Sequence, residues 1–247
     1  MRVENSFIGV EGVGEQTEQT LWEHGVTHWD DFHRSVPGVG DTRARRIESF
    51  IEDGRDAVAN DDADFFGQRF PDDALWRLYG TFGEDACYLD IETTGLDQDR
   101  HDVTTVSVHR GGETTTFVQG QDLSADALRG ELADAAFLVT FNGRRFDVPF
   151  LEANYDIDVG LSHLDLMTPC RRLGLTGGLK AIESDIGIDR DKPDISGADA
   201  VRLWHEYERG DQAALDTLIE YNRADTANLA TLLDRVATDL RADVFEA

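Results

Sequence analysis

The rhythm of hydrophobic and polar positions changes along the chain. The first stretch has helical spacing around two glycine-rich breaks. Phe7-Ile-Gly-Val-Glu-Gly-Val-Gly14 is answered by Phe32-His-Arg-Ser-Val-Pro-Gly-Val-Gly40, with Gly12 aligned to Gly38 and Gly14 to Gly40 at an offset of 26. Each Gly-Val-Gly precedes a stretch that predicts a helix, over 15–23 and 41–51, and Gly25 and Gly54 stand where a glycine commonly ends one. A pair of helices joined by a glycine-rich turn, present twice, predicts a compact all-helical unit over 1–56. Residues 55–70 are acidic and weakly patterned and read as a linker, with a short helix over 72–79 after it.

Further on, the period shortens to two. Residues 87–92 predict a strand, and 103–109 and 113–118 alternate on either side of Gly111-Gly112, the signature of a hairpin. A helix is expected over 123–134, a buried strand over 137–141, a helix over 148–154 and a short strand over 161–164. The remainder is helical: 165–173, 179–186, 197–207 and a long segment within 211–240. Hairpin strands followed by strands alternating with helices predict an α/β domain with a mixed sheet, placed over 85–242 after a lead-in segment at 57–84.

Composition narrows the class. The chain has 247 residues, enough for one domain of ordinary size and a small one. No apolar run is long enough to cross a bilayer, and the first residues lack a basic stretch leading into an apolar one, so a soluble, cytoplasmic protein is expected. Cys87 and Cys170 are isolated and read as buried free thiols. Lys+Arg is 23 against Asp+Glu 50, a net charge of −27, and only Lys180 and Lys192 are lysines. An acidic surface spread over the whole chain and poor in lysine resembles that of proteins from salt-accumulating extreme halophiles. In dilute buffer such a charge repels nucleic acid. At molar salt the Debye length falls to about 3 Å, and the argument loses its force. Charge therefore excludes no substrate class, and the chemistry of the residues decides.

Asp90 and Glu92 stand at i and i+2 on a predicted strand, so both carboxylates point to one face. Two acids so placed repel unless a cation lies between them, and hard divalent cations take oxygen ligands. Asp147 follows the second buried strand, at a helix start where the dipole favours a carboxylate; taken alone it reads first as a simple N-cap. Tyr221 and Asp225 lie at i and i+4 and share a face of the long helix. Taken alone they read as a core tyrosine and a solvated acid.

Together, in this order, these residues resemble the three motifs of the DEDD exonuclease superfamily. Asp90-Ile-Glu-Thr-Thr-Gly-Leu96 is similar to the first motif and Asn142-Gly-Arg-Arg-Phe-Asp147 to the second. Tyr221-x-x-x-Asp225 is similar to the third in the subclass that has a tyrosine. Trp76-Arg-Leu-Tyr and Leu179-Lys-Ala-Ile-Glu183 resemble the YprB-like group within it. The resemblance covers about 65–240. It implies an RNase H-like mixed sheet flanked by helices and a 3′→5′ exonuclease acting on DNA or RNA through two metal ions, Mg²⁺ or Mn²⁺. Asp90 would bridge the metals, Glu92 and Asp225 would complete the site that activates water, and Asp147 would hold the second metal. Tyr221 would orient the water, because a phenol with a pKa near 10 is a poor base at neutral pH. Asn142 belongs to the second motif. Lys180, after Gly177-Gly178, reads equally as a phosphate contact and as a surface lysine. Phe141 and Phe146 read as core rings before base-stacking ones.

The N-terminal repeat, Val10-Glu-Gly-Val-Gly14 and Val36-Pro-Gly-Val-Gly40, resembles the helix-hairpin-helix motif. That implies phosphate contact through backbone N–H groups at Gly38, Val39 and Gly40, with Arg43, Arg45 and Arg46 nearby. Glu15 and Glu18 make the first copy less suited. A small docking module is the alternative for this unit. For the whole chain, the alternatives are a non-catalytic nucleic-acid-binding adaptor and a structure-specific endonuclease.

Overall fold

The computed structural model describes residues 1–188 and 195–245, so Lys192 lies outside the described residues. The N-terminal repeat is reproduced in the backbone. Gly12 and Gly38 both take positive φ, 85° and 81°, a conformation open to glycine without strain. Gly14 and Gly40 are then the N-caps of α1 (Glu15–Glu23) and α2 (Asp41–Ala59). Gly25 ends the first helix as expected, at φ 81°.

Gly54 does not end the second helix. It lies inside α2, and a Cβ built there would stand 2.8 Å from Cη2 of Trp29. The glycine leaves room for the Trp29 indole against the helix, which is a packing role. Nor is 55–70 a linker. Its residues complete α2, form α3 (Ala63–Gly67) and bury Ala57, Ala63, Phe66 and Phe70. Asp56, Asp61 and Asp62 face outward, while the half-buried Asp64 accepts from the backbone N–H of Ser162 at 2.8 Å. The helix expected over 72–79 is a 3-10 helix, Asp72–Leu78, running into the short α4 (Tyr79–Phe82).

A buried ion pair joins these segments. Glu18, fully buried on α1, accepts hydrogen bonds from the backbone N–H of Phe7 (2.6 Å) and Ile8 (3.0 Å) and from Ser6 Oγ (2.9 Å). Arg77 Nη1, from the 3-10 helix, reaches its Oε2 at 2.7 Å. An unpaired charge at this depth would cost several kcal/mol, so the pair specifies how α1 docks on the lead-in segment. One hydrophobic cluster runs from Val3 and Leu21 through Phe66 and Trp76 to Leu232 and Leu240.

The sheet order is β3-β2-β1-β4-β5. Strands β1 (Ala86–Thr93), β2 (Val103–Arg110) and β3 (Glu113–Val118) are antiparallel neighbours, while β4 (Phe137–Thr140) and β5 (His163–Asp165) run parallel to β1. Among the described residues, the further α-helices are α5 (Ala125–Leu132), α6 (Asp147–Tyr155), α7 (Met167–Arg172), α8 (Leu179–Ile186), α9 (Gly197–Glu208) and α10 (Gln212–Val244). This is the expected mixed α/β architecture.

Alternation on β1 decides which side chains meet which layer. Cys87, Leu89 and Ile91 pack in one cluster with Leu128 of α5 and Phe150 and Leu151 of α6. Ala86 and Tyr88 join the opposite cluster, with Leu229, Leu232 and Leu233 of α10. Asp90 and Glu92 continue that second face, so both acids look toward the long helix. The β1–β2 register shifts between Glu92 and Thr93, a bulge-type irregularity at the point where the strand leaves the site. Both cysteines are buried free thiols, and burial pushes each up to about 12.

Candidate metal centre

Three elements deliver the acids. β1 carries Asp90 and Glu92, α10 carries Asp225, and the carboxylate oxygens of these three all lie within 4.8 Å of one another. Asp147 is the first residue of α6, buried, and its charge acts on both Asp90 and Glu92. It stands beside the triad and is not among the three residues with oxygens inside that radius. The turn leading to it is held by Asp165 at the end of β5. The Asp165 carboxylate accepts from the backbone N–H of Asn142 (2.8 Å), Arg144 (3.3 Å) and Met167 (3.0 Å). Asn142 takes φ 64° there, so its place in the motif is explained in part by the turn it makes.

The electrostatics are those of a site short of positive charge. Asp90 is raised well above the usual carboxylate range, first by burial and then by Asp147, Glu92 and Asp225; the Asn222 amide opposes this. Burial, then Asp225 and Asp147, push Glu92 up to about 8, against the pull of Lys180. Asp147 is pushed up to about 7, chiefly by burial; hydrogen bonds from its own N–H and that of Ile91 hold it down, and Asp165 pushes it up. Tyr221 donates to Asp225, and burial with the neighbouring acids raises its phenol far above 10. It is therefore a neutral hydrogen-bonding group throughout the physiological range.

A cleft of about 470 Å³ opens over these groups, lined by Asp90, Glu92, Asp225, Tyr221, Phe141 and Lys180. Its rim includes the N-terminal ends of α8, at Gly178, and α9, at Ser196 and Gly197. Both helix starts direct positive dipole ends toward the cleft. Lys180 Nζ lies 4.8 Å from the centroid of the Tyr221 ring, so this lysine belongs to the cleft and not to the outer surface. Phe141 also lines the cleft, whereas Phe146 packs on Phe150 with ring centroids 4.8 Å apart. Asn142 does not line it.

The N-terminal candidates form a separate group. Gly40 and Arg43 share a groove of about 380 Å³ with Arg46 and with Glu11 and Gly12 of the first hairpin. Arg43 Nη1 donates to the Gly38 carbonyl (3.1 Å), and Arg46 Nη1 donates to the Glu11 carbonyl (3.2 Å). The arginines brace the hairpins as well as lining the groove. Val39 is half-buried and packs against the core, and none of these residues lines the acidic cleft.

Sequence reasoning missed Asn222 and Thr105. Asn222 is fully buried on α10 and donates through Nδ2 to Asp90 Oδ2 at 2.7 Å; Thr105 Oγ1 on β2 donates to Asn222 Oδ1 at 3.1 Å. A signal was present. Leu215, Leu218, Tyr221, Leu229 and Leu232 trace the buried stripe of α10, and Asn222, Asp225 and Thr226 interrupt it with polar groups. A polar residue at a core position needs a partner, and here the partner is the site.

Among solved structures, the family B DNA polymerase from the hyperthermophilic archaeon Pyrobaculum calidifontis aligns over 62% of this chain and 26% of its own, at 18% identity and a TM-score of 0.49. The chain thus spans about a quarter of that polymerase. Brucella melitensis NrnC with bound Mg²⁺ aligns over 66% of this chain and 88% of its own, at 20% identity and a TM-score of 0.36. No curated protein matches the chain. Residues 87–237, more than half of the chain and all five strands but for the first residue of β1, match the family model described as RNase_H superfamily, and the chain belongs to that superfamily.

Proposed function

We propose that this protein is a metal-dependent 3′→5′ exonuclease of the DEDD type with a tyrosine in its third motif. The observation that carries the reading is the joining of Asp90, Glu92 and Asp225 within 4.8 Å, with the buried Asp147 charge acting on Asp90 and Glu92 and Tyr221 hydrogen-bonded to Asp225. The donor set fits the cations it implies. It is all oxygen, half-buried or deeper, and Asp90 and Glu92 are pushed up by burial and then by the neighbouring acids, a repulsion that hard divalent cations relieve. Asp90, Glu92, Asp147 and Asp225 would hold Mg²⁺ or Mn²⁺, two per site. When bound, these supply the charge that stabilises the attacking and leaving oxygens of phosphodiester hydrolysis.

The protein's own groups supply the rest. Tyr221 holds the attacking water by hydrogen bonding, since its proton is not released near neutral pH. Lys180 and the starts of α8 and α9 give the cleft a positive rim for a phosphate. Phe141 offers a ring to a base at the same rim. The hairpin at Gly38, Val39 and Gly40, with Arg43, is assigned as a helix-hairpin-helix contact to duplex backbone, independent of the cleft.

Degradation of oligonucleotides labelled at either end, DNA and RNA, single-stranded and duplex, in molar KCl with Mg²⁺ or Mn²⁺, tests the polarity. Stepwise loss from the 3′ end is expected. Internal cuts would move the protein to the endonuclease reading, and binding without any cleavage to the adaptor reading.

A further inference from the structure

Asn222 stands beside Tyr221 on α10, one turn before Asp225, and makes its own contact with β1. Tyr221 and Asp225 reach the cleft, while Asn222 turns into the sheet and touches the Asp90 carboxylate from behind. Its amide is oriented at both ends. Thr105 Oγ1 donates to Oδ1, which leaves the Nδ2 hydrogens facing Asp90, with Nδ2 2.7 Å from Oδ2 and 3.3 Å from the Asp90 carbonyl oxygen. Thr105 is itself fully buried and lies opposite Glu92 in the β1–β2 register. We infer that Asn222, set by Thr105, is a positioning residue that holds the Asp90 carboxylate in the orientation required for cation binding. The inference rests on the reading of Asp90 as a metal ligand.

The chemistry of the group supports this role over that of a simple tether. A lysine or arginine at this point would also restrain Asp90, but its charge would neutralise the acids and compete with a cation. An amide gives a directional donor and adds no charge. It engages Oδ2 and leaves Oδ1 free of this bond. It also couples the position of α10, which carries Asp225 and Tyr221, to the strand that carries Asp90 and Glu92. Partners that orient a ligating carboxylate typically change metal affinity or activity by about 10–100-fold when lost.

Calorimetric titration of Mn²⁺ into the full chain in molar KCl, with a thermal melt of each variant, tests it. Asn222→Ala is expected to weaken Mn²⁺ binding by about 10–100-fold. Thr105→Val, close to isosteric, should weaken it in the same direction; Thr105→Ser, which keeps the hydroxyl, should restore it. The double variant should bind no more weakly than Asn222→Ala alone, because both changes break one chain of contacts. Wild-type affinity in Asn222→Ala and Thr105→Val, whatever their melting temperatures, would overturn the inference and leave a structural tether. If Asn222→Ala does not fold, the two Thr105 variants decide by the same criteria. If the wild-type chain takes up no Mn²⁺, the metal reading of the cleft has failed, and this inference falls with it.

Discussion

Glu92 and Asp147 are pushed up to about 8 and about 7, and Asp90 is raised as well, so the folded chain without metal holds protons that the unfolded chain releases. The sign follows directly. Below about pH 4 both states are protonated and these groups contribute nothing. As pH rises toward 8 the unfolded state loses its protons first, so metal-free stability falls. Melting without divalent ions should therefore drop between about pH 4 and 8, and added Mn²⁺ should raise the melting temperature most at the alkaline end. A metal-free melting temperature that climbs through this range would contradict the electrostatic account. The same repulsion predicts that Asp147→Asn raises metal-free stability at pH 8 while lowering activity, the exchange expected where function requires crowded charge. For Tyr221→Phe, kcat should fall by more than Mn²⁺ affinity does, on the order of a hundredfold or less, if the phenol positions water. Equal losses of both would assign it to metal binding.

At the scale of elements, legibility in the sequence followed periodicity. The alternation on 87–92 and the Gly111-Gly112 hairpin read directly as β1 to β3, and that alternation alone placed Asp90 and Glu92 on one face. Segments whose conformation depends on a distant partner did not read. Gly54 resembled a stop signal because helix ends favour glycine, but Trp29 on its surface makes it a packing glycine. Residues 55–70 resembled a linker because their outward acids hide Ala57, Ala63, Phe66 and Phe70. Glu18 looked like a poor phosphate contact and is half of a buried ion pair with a residue 59 positions away. Asn222 was hidden in the same way, since its partners lie far away in the sequence on β1 and β2. Two predictions belong here. Gly54→Ala should destabilise by about 1–3 kcal/mol through overpacking, which outweighs the ~1 kcal/mol helix-propensity gain; a more stable variant would show that Trp29 can move. Arg77→Met should cost about 3–5 kcal/mol by stranding the Glu18 charge.

For the whole molecule, the continuous cluster from Val3 to Leu240 predicts that the N-terminal repeat and the sheet melt together. Calorimetry should show one transition, and two well-separated ones would mean that the repeat folds on its own. The net charge of −27 predicts that stability rises with KCl, as screening shortens the reach of self-repulsion. The same charge predicts that activity on a nucleic acid rises toward molar salt, where an acidic protein and a polyanion no longer repel at long range. The measurement that tests the central claim most directly is hydrolysis of a 3′-labelled oligonucleotide in molar KCl by wild type and Asp90→Ala, each with Mn²⁺ and with EDTA. Cleavage by the wild type with Mn²⁺ alone, lost in EDTA and in the variant, is the predicted result. Cleavage that persists in Asp90→Ala, or that ignores EDTA, would contradict a metal centre built on these carboxylates.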